Sequence, residues 1–351
     1  MKAIIMFLIG IILIYLAIKK KYEPSLLLPL GFGTILINIP MANNIAIEWL
    51  YNTGIASSEI MPLMLFIGIG AMIDFGPLLT NPKMFLIGAA GQLGIFFTII
   101  IATLLGFNIT DAASIGMIGA ADGPTAILVS QTLKSSYVGP IAVAAYSYMA
   151  LVPIIQPIVI KAVTTKKERN IEMKYEPKEI SQSIKIIFPI LTTIVTGLIA
   201  PEAVSLVGFL MFGNLLRECG VLKTLADTAQ STLVNLITIL LGITISFCMT
   251  ADKFLTIQTL IIILLGLIAF IFDTFFGIVF VKIMNLFNKK KINPMIGAAG
   301  ISAFPMSARV VQQMAKKENP SLYLLMHAAG ANVAGQIASV IAGGIILNLL
   351  I

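Results

Sequence analysis

Residues 113–132, ASIGMIGAADGPTAILVSQT, are apolar enough to lie in a membrane yet cannot form one continuous spanning helix. Asp122, Gly123 and Pro124 interrupt them: glycine frees the backbone, and proline lacks the N–H that a continuing helix needs. A lone carboxylate facing hydrocarbon is expensive, so intramembrane acids usually face a bundle interior, an ion path or a proton relay. Irregular backbone at membrane depth is tolerated only where it is buried in protein or lines a cavity. The stretch therefore reads as a re-entrant or broken helix, with Asp122 and freed carbonyls placed to bind a cation. A surface loop with Asp122 as an ordinary turn residue is the plainer alternative.

The rest of the chain supplies the membrane context. Of its 351 residues 58% are hydrophobic and 11% charged, with mean hydropathy +1.00, which is more apolar surface than a soluble domain needs. The fold class expected is an all-α polytopic membrane protein. A net charge of +7 does not indicate nucleic acid, because no soluble face exists to carry a basic patch; positive cytoplasmic loops account for it. Cys219 and Cys248 form no CxxC pair, and the single histidine, His327, has no metal-ligand cluster around it. Residues 3–18, flanked by Lys2 and Lys19 without a small-residue cleavage site, read as a retained first span.

Apolar segments follow at about 25–40, 60–80, 84–106, the broken 113–132 and 138–163. The polar stretch 164–184 comes next; spans resume at about 185–200, 203–218, 232–249 and 256–287, followed by a second broken segment at 293–313 and a last span at 321–350. The two sides echo each other in order. PLGFGTILIN at 29–38 resembles FLMFGNLLRE at 209–218, FIGIGAMIDF at 66–75 resembles LLGITISFCM at 240–249, and IGAADGP at 118–124 resembles IGAAGIS at 296–302. Two repeats are expected, 1–163 and 185–351, joined by a cytoplasmic linker at 164–184, each with about five transmembrane helices and one broken segment. With Lys19–Lys21 inside, all but four of the 23 basic residues fall inside: Lys2, Lys134 and Lys253 lie outside and Arg309 lies in the second broken segment. An odd number of spans per half inverts one repeat against the other, and the two broken tips should meet near the midplane.

The second broken segment, NPMIGAAGISAFPMSARV at 293–310, offers oxygen ligands from Asn293 and Ser302, close backbone approach at Gly297, and an interruption at Pro305. Hard cations want several oxygens, so Asp122, Ser302 and freed carbonyls form a plausible set, which Asn332 in the last span could complete. Arg309 could hold an anionic carboxylate bidentately or snorkel as an anchor. Tyr146 and Tyr148 follow Asp122 on one helix and face different sides of it. Asp273, inside 256–287, is a rival intramembrane acid.

The runs GAADGPTAI, AVAAYSYMALVPIIQP, GFLMFGNLLRECGV, MTADKFL, NPMIGAAGISAFPMSARV and HAAGANVAG resemble the β subunits of sodium-pumping, biotin-dependent decarboxylases, a family that includes the oxaloacetate, methylmalonyl-CoA and glutaconyl-CoA enzymes. The resemblance runs from about residue 55 to the C-terminus. It implies a multi-pass subunit of the cytoplasmic membrane that decarboxylates carboxybiotin and couples this to Na+ export with proton uptake. By motif match it implies catalytic roles for Asp122, Tyr148 and Arg309, with Arg309 also holding the biotin carboxylate. Na+ contacts are implied for Asp122, Asn293, Gly297, Ser302 and Asn332. Partners implied are a biotin carrier protein, a carboxyltransferase α subunit, a small membrane γ/δ subunit, membrane lipid and further copies of the chain; nothing resembles a biotin attachment site in the chain itself. Asp273 departs from the family, which usually has a small residue there. A sodium-coupled carboxylate symporter of similar fold is the alternative reading, and a channel or structural subunit a second one.

Overall fold

The computed structural model describes residues 2–21, 24–57, 59–174 and 179–351, leaving out the side chain of Ala150. Every regular element among them is helical. Six helices are long and apolar enough to cross a membrane, or up to eight when two bent pairs are each taken as one span. The six are Lys2–Lys19, Lys83–Leu104, Gln182–Ile199, Lys223–Cys248, Ile257–Phe287 and Leu325–Leu350. Ten spans were expected. The difference lies partly in Pro24–Ile37 and Val204–Glu218, of 14 and 15 residues. At 1.5 Å per residue they reach only about 21–23 Å, short of a hydrocarbon core of roughly 30 Å.

Three expected spans are interrupted for identifiable reasons. Val138–Met149 and Leu151–Val163 bend by 67° against each other. Pro153 stands four residues after Met149, so the bond that would close that turn has no donor. The stretch 60–80 ends its helix at Met72, and Asp74 Oδ1 then accepts the Gly76 N–H at 2.8 Å to begin a short turn of helix. The stretch 84–106 still counts as one span but is notched between Lys83–Ala90 and Leu93–Leu104, where Gln92 Nε2 turns to the Gly300 carbonyl at 3.1 Å.

The C-terminal helix Leu325–Leu350 is the axis of the molecule. It is the most buried of the six candidate spans, with 67% of its window inside the protein, against 22% for Lys2–Lys19 and 11% for Gln182–Ile199. The larger apolar cluster packs both broken segments around this helix and Ile257–Phe287; a smaller one joins the N-terminal helices to residues 127–146 and 237–254. Ile11, Ile12, Leu191 and Leu198 point outward from the poorly buried helices, as lipid-facing side chains do.

Charged contacts gather the expected cytoplasmic residues at common places. Lys282 Nζ lies 3.0 Å from Glu168 and 2.9 Å from the Val163 carbonyl; Arg169 Nε lies 2.7 Å from Glu318. Lys2 pairs with Asp252 at 2.8 Å, both from stretches expected outside. Residues 175–178 of the linker lie outside the described residues.

Candidate ion and substrate site

The break in the first segment is a change of helix direction at Asp122. The helix Ile109–Gly116 tightens into a 3₁₀ turn, Met117–Ala120, and Ala121 takes φ 52°, a left-handed conformation that non-glycine residues rarely adopt. A new helix, Gly123–Thr132, begins with Asp122 as its N-cap, Oδ1 accepting the Thr125 N–H at 3.4 Å. The orphan N–H groups of that helix start and its dipole favour an anion at this place.

Asp122 is 3% exposed, and three side chains converge on Oδ2. Thr125 Oγ1 donates at 2.7 Å and Gln336 Nε2 at 2.9 Å. Ser339 Oγ stands 2.9 Å from Oδ2 and 3.0 Å from the Gln336 carbonyl, so its one proton has two acceptors. Among the described residues no lysine, arginine or histidine pairs with Asp122. The arrangement is a carboxylate without a counter-charge, ringed by two hydroxyls and an amide. Hydroxyls turn a lone pair as readily as a proton, and the amide has an oxygen as well as an NH2. The same groups can therefore face a small hard cation with oxygens. No cluster of three His, Cys, Asp or Glu side chains exists among the described residues.

The two broken segments meet beside this ring. Ser302 donates from both its backbone N–H, at 3.1 Å, and Oγ, at 2.9 Å, to the Ala120 carbonyl. The echoed runs 118–124 and 296–302 thus touch each other directly. Asn332, one turn before Gln336, donates to the Ile301 carbonyl at 2.7 Å and leaves a buried Oδ1 unpartnered. Gln92 and Gln156 hold the same loop, donating to the Gly300 and Ala298 carbonyls at 3.1 and 2.5 Å.

The other expected residues stand apart from Asp122. The amide of Asn293 is spent on the linker: Nδ2 donates to the Arg169 and Ile171 carbonyls at 2.8 and 3.0 Å, and Oδ1 accepts from Met295 N–H at 3.1 Å. Gly297 packs its backbone against Gly277 of the long helix, where a Cβ has no room, which is a reason of packing. Tyr148 donates its hydroxyl to the Ile263 carbonyl; it is the Tyr146 ring that packs on Gly123, next to Asp122. Arg309 is exposed on the first turn of Met306–Glu318, and among the described residues no hydrogen bond or ion pair engages its side chain. Along that helix a cleft of about 270 Å³ opens between Gln313, Met314, Lys317 and Glu318 on one wall and Pro153, Pro157 and Lys161 on the other.

Residues 2–350 match the model of the family described as Na+-transporting oxaloacetate decarboxylase beta subunit. The chain belongs to this family. It is 50% identical to the methylmalonyl-CoA decarboxylase subunit beta of Veillonella parvula over 347 residues, covering 99% of this chain and 92% of the relative. It is 48% identical to the glutaconyl-CoA decarboxylase subunit beta of Acidaminococcus fermentans, over 99% and 92% of the two chains. It is 42% identical to the oxaloacetate decarboxylase beta chain of Klebsiella pneumoniae, over 99% and 95%. The family match begins at residue 2, well before residue 55, where the resemblance was expected to start; apolar N-terminal spans lack the glycine, proline and charged landmarks that make a likeness visible by motif.

Three residues on this β-family chain's Asp122 ring, Thr125, Gln336 and Ser339, were not anticipated. All three carried a signal. Asn332, Gln336 and Ser339 fall at i, i+4 and i+7 in a stretch, 328–347, that is otherwise small and apolar, a polar stripe on one face. Thr125 is the third residue of the helix that Asp122 caps, a position whose N–H the cap must reach.

Proposed function

We propose that this chain is the membrane subunit of a primary sodium pump, decarboxylating carboxybiotin carried by a partner and coupling this to Na+ export with proton uptake. The observation that carries the reading is the uncompensated, buried carboxylate of Asp122 at a helix break, ringed by Thr125, Gln336 and Ser339 and joined through Ala120 to Ser302. Names of relatives support the same chemistry: those proteins are decarboxylase β subunits. Na+ is the transported substrate, held by Asp122 with hydroxyl and amide oxygens, and Ser302 and Asn332 complete its surroundings. Asn293 and Gly297 support the site by fixing the linker and the long helix.

Carboxybiotin approaches through the cleft beside Met306–Glu318, whose Lys161 and Lys317 favour an anion and whose helix carries Arg309 one turn above Gln313. The planar guanidinium matches a carboxylate bidentately. Breaking the N–C bond releases CO2 and leaves a ureido nitrogen that takes one proton; Tyr148, on the helix Val138–Met149 across the bend from the cleft wall, is the residue proposed to pass it. The two halves, 1–163 and 185–351, act as inverted repeats about the linker 164–184. Biotin carrier, carboxyltransferase and a small membrane subunit meet the chain within the cytoplasmic membrane, in a complex that includes further copies of it.

Sodium uptake by inverted vesicles holding the assembled complex tests this, with carboxybiotin decay and radiolabelled carboxylate uptake followed on the same preparation. The pump predicts avidin-sensitive Na+ uptake locked to carboxybiotin decay, and both falling in Arg309→Ala with only partial rescue by Arg309→Lys. Carboxylate uptake without carboxybiotin decay would establish a symporter instead.

A further inference from the structure

The second intramembrane acid, Asp273, plays no part in the reading above. It sits midway along the 31-residue helix Ile257–Phe287, with its side chain fully buried. Two glycines make room for it: a Cβ at Gly94 would overlap Oδ1, and one at Gly119 would stand 2.5 Å from Oδ2. Gly94 opens the helix Leu93–Leu104, just after the break at Gly91–Gln92. Gly119 belongs to the 3₁₀ turn that leads to Asp122. Asp273 thus touches both a helix break and the broken segment itself.

Its surroundings are short of partners. The Gly94 N–H points toward the carboxyl and the Ile95 N–H is engaged by the Gln92 carbonyl at 3.2 Å, and neither carboxyl oxygen has a hydrogen-bond partner of ordinary geometry among the described residues. Gln92, at the N-cap, makes no side-chain bond to that helix start. The elements packed on this part of the long helix carry few ionisable groups, and all are occupied elsewhere. Lys83 is exposed, Asp111 accepts from Ser135 at 2.6 Å, Tyr148 bonds the Ile263 carbonyl, the Tyr146 ring lies on Gly123, and Lys161 lines the cleft. A bare carboxylate without counter-charge or donors is the costliest state for such a group. A cation would need several oxygens, and the two residues packed directly on the carboxyl oxygens, Gly94 and Gly119, have no side-chain oxygen to offer.

We propose that Asp273 is a membrane-embedded proton-binding site, loaded while the Gly94 N–H stands off and unloaded when it closes on the carboxylate. The step is a single exchange, one proton leaving the carboxylic acid for water in the access path and the same proton returning; no other reactant is needed. Because Gly119 lies three residues before Asp122, movement of the 117–122 turn that accompanies occupancy of Asp122 also moves one wall of the Asp273 site. The proposal rests on the membrane reading of the chain and not on carboxybiotin chemistry, so the two fail separately.

Infrared spectroscopy of the purified full chain in lipid discs tests it. A protonated-carboxyl C=O stretch that moves in D2O should be present in the parent, absent in Asp273→Asn, and retained in Asp122→Asn. In the assembled complex, the pH profile of Na+ transport should lose one ionisation in Asp273→Asn. Persistence of the band in Asp273→Asn, or its absence from the parent, overturns the assignment. If Asp273→Asn does not assemble, Asp273→Ser, a small residue at a buried position, replaces it: the band should be absent there too, and a band that persists counts against the site.

Discussion

Ser339→Ala removes one hydroxyl from the ring around Asp122 and, since alanine is the better helix former, does not weaken the helix that carries it. Ser339 is fully buried, and its Oγ stands 2.9 Å from Asp122 Oδ2. A hydrogen bond to a charged group contributes about 1.5–3 kcal/mol. The Ser339 proton is shared with the Gln336 carbonyl at 3.0 Å, which places its share for Asp122 at the low end, about 1.5 kcal/mol. At 1.4 kcal/mol per factor of ten, that loss alone corresponds to about a tenfold change in an equilibrium constant. That bond stabilises the ion-free carboxylate, so its loss offsets part of what is lost when the same oxygen is missing as a Na+ ligand; with the ligand contact at about 3 kcal/mol, a net loss of about 1.5 kcal/mol in Na+ affinity remains. The Na+ concentration for half-maximal carboxybiotin decarboxylation should therefore rise about 10-fold, with less change in the rate at saturating Na+. The assay is Na+ titration of the reconstituted complex. Ser130→Ala is the matched control: Ser130 is equally buried and donates at 2.9 Å to the Ile127 carbonyl, away from the Asp122 carboxylate. Equal Na+ dependence in Ser339→Ala and the parent would refute the assignment of the ring, as would an equal shift in Ser130→Ala.

Asp122→Asn keeps the shape of the cap but removes the charge a desolvated cation requires, so decarboxylation and Na+ transport should both fall by about two orders of magnitude or more while the protein still inserts; near-normal pumping by the purified variant would exclude Asp122 as the ion ligand. Tyr148→Phe deletes the hydroxyl that meets the Ile263 carbonyl, a loss of about 0.5–1.5 kcal/mol in stability, and should lower carboxybiotin turnover while equilibrium Na+ binding, read by calorimetry, stays near that of the parent. With Cys219 and Cys248 first replaced, a cysteine at the exposed Lys134 should react with an impermeant thiol reagent from outside, and one at the exposed Lys289 only from the cytoplasm; labelling of both from one side would end the inverted-repeat proposal.

The physics that is local in the chain was legible without coordinates. Hydropathy is a running sum over neighbours, and Asp122-Gly123-Pro124 and Pro305 interrupt helices through their own backbone chemistry. Membrane character, the two broken segments and the family resemblance all follow from runs of adjacent residues. The contact of the two tips could also be anticipated from the echo of IGAADGP in IGAAGIS, and Ala120 and Ser302 do meet.

What the tertiary structure decided is which distant groups face each other. Gln336 and Ser339 reach Asp122 across 214 and 217 residues of sequence. A polar stripe on Leu325–Leu350 reveals a face but not its opposite number. Asn293 is a sound oxygen donor by type, and only the linker carbonyls of Arg169 and Ile171 show that its amide is already committed. The break at Gly91–Gln92 has no proline to announce it; Gln92 bonds the Gly300 carbonyl instead of continuing the apolar face, a partner 208 residues away. Asp273 is the clearest case, since its place between Gly94 and Gly119 depends on three separate elements packing together. A carboxylate's neighbours in sequence settle whether a helix breaks, whereas its neighbours in space settle whether it holds a charge, an ion or a proton.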